Sequence, residues 1–163
     1  MEDAGSVVAF WALAALTLGA AVVTAAVRDL VRAVVALVLS FLGVAGLFVL
    51  LSADFLGVAQ VLIYAGAISV LIVFAIVLTP RAARDNAETA MLWPALAIAG
   101  ALIGLVIAVA LATDWGDGAR EGFRETASAI GEALLNRYVL PFEVASVLLL
   151  AAMLGAIVLV RED

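Results

Sequence analysis

The chain alternates long apolar stretches with short polar ones, and this pattern predicts five membrane spans. The apolar stretches cover about residues 7–27, 33–52, 55–79, 91–113 and 142–160. An α-helix that rises about 1.5 Å per residue needs about 20 residues to cross a hydrocarbon core of about 30 Å, and each stretch reaches that length. We therefore predict an all-α integral membrane protein in which residues 1–163 form a single membrane domain.

The charges between the spans predict their orientation. Only Ala53 and Asp54 separate the second span from the third, so these two spans must form an antiparallel hairpin. Five arginines lie in short segments on one side, namely Arg28, Arg32, Arg81, Arg84 and Arg161. Three others lie in a longer acidic loop on the opposite side, namely Arg120, Arg124 and Arg137. Because cytoplasmic loops are enriched in Lys and Arg, we expect a cytoplasmic C-terminus and an N-terminus outside.

The outer loop, residues 114–140, contains a second periodic pattern. Its apolar residues recur at helical spacing, and they are Phe123, Ala127, Ile130, Leu134 and Tyr138. This spacing predicts an amphipathic helix that lies on the membrane surface or against a partner subunit. The alternative is a solvated connector in which the apolar stripe is accidental.

The third span stands out because it carries polar side chains inside an uncharged sequence. Gln60 and Tyr64 are i and i+4 neighbours on one helical face, whereas Ser69 falls roughly 140° away from Tyr64. One extra residue looped out as a π-bulge would bring Ser69 within roughly 40° of Tyr64. Gly66 would tolerate this distortion best, since it has no Cβ atom. The alternative is that Ala65, Gly66 and Ala67 only let a neighbouring helix approach closely.

The overall composition excludes several classes of protein. The chain is 67% hydrophobic and its mean hydropathy is +1.29, which is outside the range of soluble domains. It contains no His and no Cys, so the usual ligands of zinc, haem and iron–sulfur clusters are missing. A net charge of -6 argues against nucleic acid as a partner. The acidic N-terminus lacks the positive region of a signal peptide, so we expect the first span to be retained.

Two acids at the ends of spans are further candidates for function. Asp54 precedes the third span and Glu143 lies at the start of the fifth. Each could stabilise the positive end of a helix as a cap, or each could lie at the end of a hydrated path. The spans contain no internal Lys, Arg or His, which disfavours an independent proton pump or small transporter.

Two segments resemble a known family. Residues 33–42 and 54–71, with the central sequence Val-Leu-Ile-Tyr-Ala-Gly-Ala-Ile, are similar to the J subunit of bacterial NADH:quinone oxidoreductase, respiratory complex I. Residues 138–150 and 155–158 resemble the fifth helix of the same family. The likeness covers nearly the whole chain in the length and order of its spans.

The resemblance implies a subunit in the membrane arm near the quinone-binding end, packed among the A, H, K and N subunits in the bacterial cytoplasmic membrane. It also implies that this chain holds no cofactor, while the whole complex holds FMN, iron–sulfur clusters and quinone. In that family the third helix carries a π-bulge near the Tyr-Ala-Gly step, and its change to a regular α-helix is associated with switching of a hydrated path during coupling. The residues that match this region are Gln60, Tyr64, Ala65, Gly66, Ala67 and Ser69.

Two other functions remain open at this point. The chain could be a packing subunit of the same complex with an inert third span. It could also be a subunit of a related cation/proton antiporter or membrane-bound hydrogenase, which share ancestry with complex I. The residues alone do not separate these alternatives.

Overall fold

The computed structural model describes residues 4–79, 92–114 and 126–160, and these residues are almost entirely helical. The first two helices are α1 (Ala4–Ala26) and α2 (Leu30–Leu50). The third span consists of α3 (Asp54–Ala59), a π-helix (Gln60–Ile68) and α4 (Ser69–Leu78). The remaining helices are α5 (Leu92–Ala112), α6 (Thr126–Asn136) and α7 (Val139–Val160). Five helices are long and apolar enough to cross a membrane, so the predicted all-α class with five spans is confirmed.

Helices α1 and α2 pack closely because small residues face each other. The buried Ser40 hydroxyl donates a hydrogen bond of 3.2 Å to the Thr17 carbonyl oxygen across the interface. A Cβ atom added at Gly43 would meet the Thr17 hydroxyl and would lie 3.2 Å from Thr17 Cβ. Small residues and hydroxyls of this kind let the backbones of two membrane helices approach each other.

The turn between α2 and α3 holds the hairpin together through its backbone. Ser52 adopts a left-handed conformation with φ of 58°, and the Ala53 N–H donates to the Phe48 carbonyl oxygen at 2.8 Å. The Ser52 N–H donates to the Val49 carbonyl oxygen at 3.0 Å, which completes a Schellman motif. The motif satisfies carbonyls that would otherwise lack donors at the end of α2.

Helix α3 then lies directly against α2 at Gly57. A Cβ atom at Gly57 would lie 2.9 Å from Val49 Cγ2 and 3.3 Å from the Ala45 carbonyl oxygen. Any larger residue would therefore push the two helices apart. The Phe55 N–H donates a hydrogen bond of 3.3 Å to Thr126 Oγ1 of α6, which lies outside the hairpin.

Helices α5 and α7 do not contact the unit formed by α1, α2 and the third span, among the described residues. Among the described residues, α5 contacts no other helix and α7 contacts only α6. The side chains described on both helices are exposed within the chain. Because their surfaces are apolar, lipid or other subunits must cover them in the membrane.

Some helix ends differ from the prediction. Helix α7 begins at Val139 rather than at residue 142, so Pro141 lies inside its first turn. Proline is tolerated there because an N–H in the first turn has no partner within the helix. Of the outer-loop stripe, Ala127, Ile130 and Leu134 lie on α6, Tyr138 follows that helix, and Phe123 is outside the described residues.

The contact between Gly43 and Thr17 can be tested with a single methyl group. We expect Gly43→Ala to destabilise the packing of α1 on α2 by about 1–3 kcal/mol, because the methyl group overpacks the interface. The measurement is the thermal stability of the purified assembly in mild detergent. Gly19→Ala is the matched control, because a Cβ atom at Gly19 meets nothing within 4 Å. Equal stability of the two variants would contradict the packing described above.

Candidate functional site

The centre of the third span is wound as a π-helix rather than an α-helix over the nine residues Gln60–Ile68. At its start, the Gln60 N–H still donates to the Leu56 carbonyl, four residues back. At its end, the Ser69 N–H donates to the carbonyls of Tyr64 and Gly66. The bond to Tyr64 spans five residues, which is the π-helical register. The distorted segment thus includes the step from Tyr64 to Ala67 where the sequence suggests a bulge.

The π-helix turns two of the three polar side chains inward. Gln60 is 8% exposed and Ser69 is 3% exposed, although they lie nine positions apart in the sequence. The only helix outside the third span that contacts the π-helix and α4, among the described residues, is α2. Gln60 and Ser69 are therefore buried along the contact with α2. Tyr64 is 46% exposed and lies at the edge of that contact.

The Ser69 hydroxyl gives a clear sign of the changed register. It donates a hydrogen bond of 2.8 Å to the Tyr64 carbonyl oxygen, five residues back. Two hydroxyls on the regular helix α1 bond four residues back instead, Thr17 to Leu13 at 2.8 Å and Thr24 to Ala20 at 2.9 Å. A side chain bonded to its own helix needs no other polar partner in an apolar environment.

Gly66 lies where the π-helix leaves little room for a side chain. A Cβ atom at this position would lie 3.3 Å from the Val61 carbonyl oxygen, closer than an ordinary van der Waals contact. Ala65 and Gly66 are half-buried and Ala67 is exposed. The Ala-Gly-Ala step therefore has a role within its own helix, in addition to any role in packing against a neighbour.

The Tyr64 ring makes a defined contact with α2. Its centroid lies 5.6 Å from that of Phe41, with an angle of 68° between the rings. Edge-to-face pairs of this kind stabilise packing by about 0.5–1.5 kcal/mol beyond their buried area. The Tyr64 ring thus packs on α2 while nearly half of the residue stays exposed.

The two acids at the span ends are not N-caps in this structure. Asp54 is the first residue of α3, and the N-cap residue is Ala53, which provides no side-chain bond. Glu143 lies in the second turn of α7, where its carbonyl oxygen accepts from the Ser146 hydroxyl at 2.7 Å. Both side chains are exposed. A role for either acid at the end of a hydrated path stays a prediction.

One capping residue was missed in the sequence. The Asp29 carboxylate accepts a hydrogen bond of 3.1 Å from the Arg32 N–H and caps α2. An Asp immediately before an apolar run is a recognised start signal for a helix, so the sequence contains this information. The cap explains why α2 begins at Leu30, three residues before the predicted start of the second span.

These features define a class: a membrane subunit with many spans, a large apolar surface left for partners and a distorted third helix. The sequence matches the family described as NADH-ubiquinone/plastoquinone oxidoreductase chain 6 over residues 7–159. NAD(P)H-quinone oxidoreductase chain 6 of Synechocystis sp. is 40% identical over 162 residues, which cover 96% of this chain and 81% of that protein. F(420)H(2) dehydrogenase subunit J of Methanosarcina mazei is 36% identical over 158 residues, which cover 94% and 90%.

The chain therefore belongs to the chain 6 family and is a membrane subunit of NADH-quinone oxidoreductase, respiratory complex I. The resemblance seen in the third and fifth spans is confirmed. Other subunits of the complex are its partners.

Proposed function

We propose that the third span is a two-state element that couples quinone reduction to proton pumping. In one state residues 60–68 are π-helical, and in the other they are a regular α-helix. The change opens or breaks a hydrated path through the membrane arm. The chain itself carries out no redox step. The observation that carries this proposal is a nine-residue π-helix, in the middle of a membrane span, that buries Gln60 and Ser69.

The geometry explains how such a change could act on a path for protons. When the bulge is absorbed into a regular α-helix, the part of the span beyond it rotates by roughly 100° and moves by about 1.5 Å along the helix axis. Polar groups such as Ser69 then leave the contact with α2, and apolar groups enter it. An amide, a phenol and a hydroxyl can each hold water by hydrogen bonds, so their alignment decides whether water is continuous.

The proposal also extends to the setting of the subunit. We place it beside the A, H, K and N subunits, near the quinone-binding end, in the cytoplasmic membrane of a bacterium with its C-terminus inside. FMN, iron–sulfur clusters and quinone belong to other parts of the complex. The absence of His and Cys from the sequence supports a chain that holds no iron–sulfur cluster.

Gly66→Val tests the two-state element directly. The added side chain crowds the Val61 carbonyl oxygen in the π-helix, and we expect the π-helical population to fall roughly tenfold. Proton translocation per quinone reduced, measured in sealed membrane vesicles, should then fall more than the amount of assembled complex. Gly19→Val is the control, since a Cβ atom at Gly19 meets nothing. Loss of the complex with no separate defect in activity would count against the proposal.

Tyr64→Phe separates the two-state element from an inert packing subunit. The substitution keeps the ring contact with Phe41 and deletes only the hydroxyl. We expect coupled proton transfer to fall about fivefold, the equivalent of one hydrogen bond of ~1 kcal/mol. Tyr138→Phe, outside the spans, is the matched control. Unchanged turnover and pumping in Tyr64→Phe would favour the packing subunit.

The partners can be tested by purification through a tag on the C-terminus, followed by mass spectrometry of the co-purifying proteins. We expect flavin and iron–sulfur subunits together with the other membrane-arm subunits. The same experiment identifies the electron donor module, which matters because one relative belongs to an F(420)H(2) dehydrogenase. Recovery with antiporter subunits alone would favour the related antiporters instead.

A further inference from the structure

We propose that the neighbouring residues Ile68 and Ser69 set the register of the third span through their sizes. Ser69, the small residue, faces α2 in the π-helical register. In the α-helical register Ile68, the large residue, would have to take the place of Ser69 against α2. This inference rests on the proposed two-state element and names the residues that decide its resting state. Its evidence is the order of buried and exposed side chains along the span.

The first half of the span is fixed, so a change of register must move the second half. Gly57 of α3 lies against Val49 and the Ala45 carbonyl, and the hydrogen-bonded turn at Ser52 ties α3 to α2. Helix α4 contacts only α2 and the π-helix among the described residues. Rotation about the span axis is therefore easier for α4 than for α3.

Loss of the bulge would rotate every residue from Ile68 onward about the helix axis by roughly 100°, which is the angle between one α-helical residue and the next. Each of these residues would then point in the direction in which the following residue points now. Ser69 would move to the present direction of Val70, which is 52% exposed. Ile68 would move into the present direction of Ser69, which is 3% exposed and faces α2.

The inward face of α4 shows what this exchange does to packing. Ser69 is buried and Ile72 and Ile76 are half-buried, while the other residues of α4 are exposed. In the α-helical register the three inward positions would be taken by Ile68, Leu71 and Ala75. At the end near the π-helix, Ile68 would replace the smaller Ser69 against α2. At the other end, Ala75 would replace the larger Ile76. Overpacking and cavities both destabilise a close-packed interface, so the present order of sizes favours the π-helix.

The test is an exchange of the two residues in the intact complex. In I68S/S69I the large residue faces α2 only in the π-helical register, so the preference should reverse. We expect the ratio of α-helical to π-helical particles, counted by single-particle classification, to rise roughly tenfold or more. The matched control is V77L/L78V, an exchange on the same helix between two residues that are exposed in either register.

Two single variants keep the test decisive where the exchange prevents assembly. Ile68→Ala removes the bulk that opposes the α-helical register and should raise that population, whereas Ser69→Ala keeps a small inward residue and should leave the π-helix in place. An unchanged register in both the exchange and Ile68→Ala would overturn the inference. A shift in Ser69→Ala alone would also overturn it, because it would assign the register to the Ser69 hydroxyl.

The same variants separate this inference from the proposed function. Proton translocation per quinone reduced is measured on each complex whose register has been determined. A changed register with normal coupling would support the inference that the sizes of residues 68 and 69 set the register, which is called the size rule below, and it would contradict gating by the third span. An unchanged register in I68S/S69I and Ile68→Ala, together with lost coupling in Gly66→Val, would contradict the size rule and leave gating in place.

Discussion

The need to satisfy backbone hydrogen bonds inside the protein governs this structure, because the hydrocarbon core offers no water to replace them. The turn after α2 meets it with a Schellman motif at Ser52 and Ala53. The third span meets it even where it departs from α-helical winding, since the π-helix bonds five residues back rather than leaving a gap. A membrane helix that holds two windings must supply nearly all of its own backbone hydrogen bonds in each of them.

In the proposed two-state element, the difference in free energy between the π-helical and α-helical windings would come from the side chains that pack against α2. Gly57 fixes one end of the span to α2, and the buried Ser69 marks the other end of the distorted segment. Gly66 removes a contact with the Val61 carbonyl that any larger residue would make. Among the residues that the structure describes, α5 and α7 contact neither α2 nor the third span, so lipid or other subunits must cover their apolar faces.

The fold was predictable from the sequence because the bilayer imposes a length and a polarity on every span. The site was predictable in part: the angles between Gln60, Tyr64 and Ser69 point to a distortion near Gly66, as the structure has it. The nine-residue extent of the π-helix was not, because the angles between these three side chains call for only one extra residue and do not say how many residues share the distortion. Asp54 lies in the first turn of α3, near the positive end of the helix, but it provides no cap bond because the helix begins at this residue and the N-cap position falls on Ala53.

The most direct test of the central claim is the winding of residues 60–69 in density maps of the intact complex, one set at rest and one during turnover. The account predicts two windings whose populations change between the conditions, with α4 rotated by roughly 100° between them while α3 stays in place against α2. The same π-helix in all particle classes under both conditions would contradict it and would leave the third span as a packing element.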